Sequence, residues 1–132
     1  MREGGEKDKI VYFVRHAETV GNKRNIHQDC NAKLSAKGLA QAEVLAERLS
    51  HIDFDVILAS SYRRAQHTAK IINKRKGVEI VYSELFWETK HPSEIIGRSH
   101  DDSESIKIKE LLYANREHPS YRYSDEETIL EQ

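Results

Sequence analysis

The sequence predicts an α/β protein: a Rossmann-like, three-layer α/β/α arrangement with a mainly parallel sheet, in an incomplete version. Short apolar runs rich in β-branched residues fall at residues 10–14, 54–59 and 79–82. Segments with helical spacing of apolar residues lie between them, giving the order β-α-β-α-β. Such an order points to right-handed crossovers and helices on the sheet faces.

The first run, Ile10-Val11-Tyr12-Phe13-Val14, is continuous and does not alternate, as expected of a strand covered on both faces. Gly21 to Lys33 is polar and irregular. Ser35 can then cap a helix with Leu39, Ala42, Leu45, Ala46 and Leu49 on its apolar side, ending near Ser50 or His51. Asp55-Val56-Ile57-Leu58-Ala59 is the second strand. Ser60 or Ser61 can cap the next helix, which carries Ala65, Thr68, Ala69 and Ile72 and ends at Gly77. Glu79-Ile80-Val81-Tyr82 is a short third strand. Ser83 to Arg98 is irregular, punctuated by Pro92 and Gly97, and reads as a loop leaving the sheet edge. Asp101 with Glu104 forms a capping box for a helix over 102–116, with Ile108, Leu111 and Leu112 on its apolar side. Ser124 with Glu127 forms a second box ahead of Ile129 and Leu130. A capped helix start followed so soon by the last residue is expected to reflect truncation, because helices of fewer than about 12 residues are marginal alone.

The 132 residues suit one domain, 10–132, preceded by a polar segment over 1–9. With 21 Lys+Arg against 22 Asp+Glu, the formal charge of -1 offers no global basic field, so nucleic acid is not an expected partner and any anion site must be local. No apolar stretch reaches the roughly 20 residues needed to cross a bilayer. A single cysteine, Cys30, excludes an internal disulfide, and the polar opening does not read as a signal peptide; the expected location is cytoplasmic.

Arg15-His16-Ala17-Glu18-Thr19 follows the first strand directly, where a side chain is held by a rigid element yet faces the crevice in which α/β sheets bind ligands. This run, with Asn22, resembles the Arg-His-Gly-Glu-Thr signature of the histidine phosphatase superfamily, the phosphoglycerate-mutase-like proteins. Ala17 replaces Gly, and a small residue still fits beside a phosphate. Gln28 falls where that family often has a ligand-facing glutamine. Leu34-Ser35-Ala36-Lys37-Gly38 with Gln41-Ala42 is similar to its first-helix entry, and Ser60-Ser61-Tyr62-Arg63-Arg64-Ala65-Gln66-His67-Thr68-Ala69 to its second segment, where the Arg before Ala binds phosphate. Glu88 matches its general acid. Four segments in the right order are far more specific than one short match.

The resemblance implies a cofactor-independent phosphomonoesterase acting through a phosphohistidine on His16, without a metal, on a small phosphorylated substrate. A phosphoglycerate-mutase-type transfer is the related alternative. The residue chemistry fits. Neutral imidazole, with a reference pKa of about 6.5, is available as a nucleophile near pH 7. Arg15 and Arg64 offer flat donor forks for phosphate oxygens. Arg64 would also lie in the first turn of its helix, where free N–H groups favour an anion. Glu88 can donate a proton to the leaving oxygen, with burial beside Phe86 and Trp87 expected to favour the neutral acid. Thr19, Asn22 and Gln28 complete the substrate-binding set as polar neighbours.

Read singly, His91, His100, Asp101 and Asp102 could suggest a metal cluster, but their spacing matches no common site and they read better as polar residues in contact with solvent. Arg63 is a solvated helix charge and Cys30 is incidental. The family also carries a second catalytic histidine, followed by Gly, at the end of a later core strand. Glu127-Thr128 resembles the element upstream of that strand, and no His-Gly segment occurs in this sequence. The expected domain is therefore histidine-phosphatase-like and truncated at its C-terminus, able to self-associate through an exposed sheet edge. An inactive phosphate-binding or interaction remnant is the competing expectation.

Overall fold

The computed structural model describes residues 8–127. Its elements run in the order α1 (Val20–Arg24), α2 (Ala36–Ser50), β1 (Val56–Ser60), α3 (Arg63–Asn73), β2 (Glu79–Ser83) and α4 (Ser103–Ala114). The fold is α/β, with a parallel sheet of two strands where three were expected. β1 and β2 pair from Val56 opposite Glu79 to Ser60 opposite Ser83, joined through α3 as a β-α-β unit.

Burial explains how the layers meet. Ala42 and Ala46 of α2 are wholly buried, and these small side chains let α2 approach α3, where Ile71 and Ile72 fill the contact. Ala17 and Leu34 close the same core, with Leu45, Leu49, Phe54 and Ile57 packed around it. The sheet is thus packed through Ile57 and Ala59 on one face, while Val56, Leu58 and Val81 on the other remain exposed.

The apolar run at residues 10–14 does not form the expected strand. It enters no ladder among the described residues, and its five side chains are exposed, Phe13 at 95%. Strand-forming residues become a strand only when a neighbour supplies backbone partners, and β1 and β2 supply those to each other.

Several local expectations are corrected as well. The segment after Thr19 is not wholly irregular: Thr19 caps α1 reciprocally with Asn22, and Asn25 ends it in the left-handed region at φ 52°. Ser35 caps α2 as expected, accepting from the Gly38 N–H at 3.0 Å. Neither Ser60 nor Ser61 caps α3. Tyr62 holds that position without a side-chain bond, and the Ser60 hydroxyl accepts from the Tyr62 N–H instead. The cap of α4 is Asp102 rather than Asp101, its carboxylate accepting from the Glu104 and Ser105 N–H groups at 3.1 Å. Those bonds hold the Asp102 carboxyl below its ordinary range. The expected loop over 83–98 contains two 3₁₀ turns, Glu84–Phe86 and Ser93–Ile95, the second anchored by the wholly buried Ile95.

The Ser124–Glu127 box does not form, because the Glu127 N–H donates to the Lys90 carbonyl and the Ser124 N–H to Glu126. The helix expected to continue through Ile129 and Leu130, and most of the polar segment 1–9, lie outside the described residues. Among the described residues no helix is long and apolar enough to cross a membrane.

Gly38 shows how tightly α2 is seated. A Cβ there would lie 1.9 Å from the Glu18 carbonyl oxygen, a backbone atom that cannot swing aside. Gly38→Ala is expected to cost about 1–3 kcal/mol in urea denaturation, the usual range for overpacking. Wild-type stability in that variant would mean that the two backbones separate freely.

Candidate active site

Residues 15–19 are fixed from two sides. The Ser35 N–H donates to the Glu18 carbonyl at 2.9 Å, and Thr19 bridges Leu34 in antiparallel fashion. On the other side the Ala17 N–H donates to Thr68 Oγ1 at 3.2 Å, while the Thr68 hydroxyl donates to the Arg64 carbonyl at 2.8 Å. The segment is thereby stitched to the starts of both α2 and α3. Glu18 belongs to this stitching. Its carboxylate accepts from the Ser35 hydroxyl at 2.6 Å, which holds it below the usual carboxylate range, with Lys37 at 3.6 Å adding to the effect.

The His16 ring is oriented by its own chain. Nδ1 lies 2.8 Å from the Ala17 carbonyl oxygen. A carbonyl can only accept, so the proton of the neutral ring is assigned to Nδ1 and the Nε2 lone pair is left bare. Nε2 faces Glu88, 3.6 Å from Oε1, and the His16 side chain is 13% exposed.

Arg64 stands beside it and is buried, at 4% exposure. Its fork is divided: one NH donates to the Asp29 carbonyl at 2.9 Å and the other to Glu88 Oε2 at 3.0 Å. The guanidinium also lies over the Tyr62 ring, 4.8 Å from its centroid. Glu88 therefore bridges His16 and Arg64 with its two oxygens. The burial expected for Glu88 is absent. Its side chain is 63% exposed, because Phe86 and Trp87 are themselves exposed and the Trp87 indole N–H reaches the Ser61 hydroxyl instead. The Tyr62 hydroxyl donates to the Glu88 carbonyl at 3.3 Å and steadies that segment.

The other expected site residues fall into two places. Arg15 is exposed and makes no hydrogen bond or ion pair among the described residues. Thr19, Asn22 and Gln28 form a second group. The wholly buried Thr19 hydroxyl accepts from the Asn22 N–H at 3.0 Å and faces the amide oxygens of Asn22 and Gln28. The expected role of the α3 N-terminus is narrowed, since the Arg63 N–H is already taken by the Cys30 carbonyl at 2.9 Å. No site role was expected of Asp29, Tyr62 or Thr68, although Tyr62 and Thr68 lie within the second family-like segment. Thr68 carried a signal in its four-residue spacing from Arg64; Asp29 acts through a backbone carbonyl and carried none.

A histidine, a forked guanidinium and a carboxylate thus converge at one place. The sequence profile of the histidine phosphatase superfamily (branch 1) matches residues 11–131. The chain belongs to the histidine phosphatase superfamily. It is 35% identical over 116 residues to a Schizosaccharomyces pombe protein named a probable phosphatase, covering 84% of this chain and 50% of that one. It is 32% identical over 103 residues to the adenosylcobalamin/alpha-ribazole phosphatase of Salmonella typhimurium, covering 72% and 50% respectively. This member of the superfamily spans about half the length of those curated relatives. Among solved structures, the alpha-ribazole phosphatase of Shigella flexneri shares its fold, with TM-score 0.70 at 22% identity over 89% of this chain and 58% of that one. A mycobacterial glucosyl-3-phosphoglycerate phosphatase in complex with VO3 superposes at TM-score 0.68 and 26% identity over 88% and 55%.

Arg64 offers a direct test of how this superfamily member holds its site. Arg64→Ala leaves the Asp29 carbonyl and Glu88 without their donor and is expected to cost about 1–3 kcal/mol in chemical denaturation. Arg64→Lys keeps the charge but loses the fork, so only part of that stability should return. Complete recovery with Lys would show that charge alone suffices.

Proposed function

We propose that this protein is a cofactor-independent phosphomonoester hydrolase that works through a phosphohistidine on His16. The observation that carries the reading is that His16 Nε2 faces, at 3.6 Å, a carboxylate that also binds the Arg64 fork. An arriving phosphate monoester would compete with Glu88 for the guanidinium. The exposed Glu88 side chain has room to yield that position while staying close to the leaving oxygen. Arg15, unengaged and next in sequence to His16, would supply the second cation, and the amide groups of Asn22 and Gln28 would orient the substrate.

The steps balance as follows. The Nε2 lone pair attacks phosphorus, the P–O bond to the alcohol breaks, and protonated Glu88 gives its proton to the departing oxygen. The Nδ1–H bond to the Ala17 carbonyl supports the positive charge that forms on the ring. Water then attacks phosphorus, Glu88 carboxylate takes its proton, and the P–N bond breaks to return neutral His16 and inorganic phosphate. The substrate class is a small phosphorylated molecule, in keeping with the names of the relatives. A mutase outcome, in which an alcohol replaces water in the second step, is the second reading. It is favoured by matches to proteins named as phosphoglycerate mutases, including one of Arabidopsis thaliana at 29% identity.

His16→Ala is expected to abolish phosphate release from p-nitrophenyl phosphate; turnover at the wild-type rate would remove His16 from the mechanism. Glu88→Gln is expected to slow alkyl phosphates by about 10²-fold or more, and p-nitrophenyl phosphate much less, because a good leaving group needs little proton donation. Equal slowing of both would contradict the acid role. A wild-type chain that binds orthovanadate but releases no phosphate from either substrate would favour phosphate binding without turnover.

A further inference from the structure

His27 has no part in this chemistry, yet it is 2% exposed and neither of its ring nitrogens has a hydrogen-bond partner among the described residues. The ring of His100 lies against it in a tilted arrangement with centroids 3.9 Å apart, and that of the exposed His91 meets it edge-on at 5.4 Å. Three imidazoles together suggest a metal centre, but the rings meet through faces and edges. Among the described residues no group of three or more His, Cys, Asp or Glu is disposed to hold a metal.

The stack joins two segments that shape the candidate site. His27 exchanges backbone bonds of 2.9 Å with Gly97 and Arg98, and the His100 N–H donates to the Asn25 carbonyl at 2.9 Å. Directly after His27 come Gln28, which meets the Thr19 hydroxyl, and Asp29, whose carbonyl takes the Arg64 fork. His91 follows Glu88 by three residues. We propose that the stack of His27, His91 and His100 is a pH-responsive positioning element. When neutral it holds the 25–29 arm against the 88–100 segment, and a proton on His27 loosens that contact and shifts Asp29 and Glu88 relative to Arg64.

The surroundings of His27 oppose a cation. His100 faces it from the 97–100 segment, and Lys109 of α4 stands 3.4 Å from His100 Nδ1. His91, on which the Glu88 carboxylate also acts, faces it from the 88–91 segment, and Asp101 is engaged by the Asn25 amide at 2.9 Å. Burial, reinforced by the charges of His100, Lys109 and His91, pushes His27 down to about 4. An unfolded His27 binds a proton near 6.5, so the folded state binds fewer protons between the two values. The contribution of the stack is therefore complete above about pH 6.5 and is lost as the pH falls toward about 4.

The proposal rests on the phosphatase reading only for its consequence on turnover, and its test needs none. Trp87, the single tryptophan of the chain, adjoins Glu88 and lies 5.4 Å from the Tyr62 ring, so its emission reports the position of that segment. The 132-residue wild-type chain, followed from pH 8 to pH 4, is expected to show a reversible change in Trp87 emission below pH 6.5. His27→Phe, which fills the slot with a ring that cannot take a proton, is expected to lack it. His51→Phe, at an exposed position beyond α2, is expected to retain it. No change in the wild type, or the same change in His27→Phe, would overturn the proposal. If far-ultraviolet circular dichroism shows that His27→Phe does not fold, ring-nitrogen NMR of the wild type decides. His27 should be neutral at pH 5.5, and the Trp87 indole signal should move with its titration. Titration of His27 near 6.5, or without movement of Trp87, would overturn the proposal.

Discussion

Arg64 brings a permanent positive charge into a position only 4% exposed, and the arrangement of the site follows from the partners this charge requires. A buried guanidinium without acceptors would be strongly unfavourable. Its fork is divided between a backbone acceptor, the Asp29 carbonyl, and a side-chain acceptor, the exposed carboxylate of Glu88. The proposed phosphate exchange would use this asymmetry between a backbone carbonyl and an exposed carboxylate.

The same residue couples the site to the fold. Its backbone carbonyl accepts from Thr68, whose oxygen in turn accepts the Ala17 N–H beside His16. His16 and Arg64 are thus linked through one helical turn of α3 rather than by two independent loops. Ala17, buried in the core with Ala42 and Ile71, ties this linkage to the packing of α2 on α3. Gly38 adds the close contact between α2 and the Glu18 backbone. A change far from His16 that separates α2 from α3 would therefore reach His16 and Arg64.

Where the relevant interactions are local or carried by side-chain identity, the sequence was informative. The helical spacing of Ala42 and Ala46 and the cap at Ser35 placed α2, and the motif order grouped His16, Arg64 and Glu88, which the fold brings together. Non-local or backbone-borne interactions escaped it. The run at residues 10–14 has the composition of a strand, but strand formation depends on a distant edge that composition does not encode. Exposure of Glu88 depends on where Phe86 and Trp87 turn, which their apolar character alone did not reveal. The Thr19–Asn22 cap departs from the common capping box, with Asn where that box has Glu or Gln. Asp29 acts through its carbonyl and leaves no trace in side-chain pattern. His27, His91 and His100 are separated by as many as 73 positions in sequence and meet only after folding.

The account depends on a neutral His16 whose Nε2 is bare and shares an anion seat with Arg64. Ring-nitrogen NMR of the chain titrated with orthovanadate tests this directly and does not depend on turnover. The account predicts a proton on Nδ1 of the neutral ring, an Nε2 resonance that shifts as vanadate binds, and a concurrent shift of the Arg64 guanidinium signal. A neutral ring protonated on Nε2, or vanadate that leaves both residues unmoved, would contradict it.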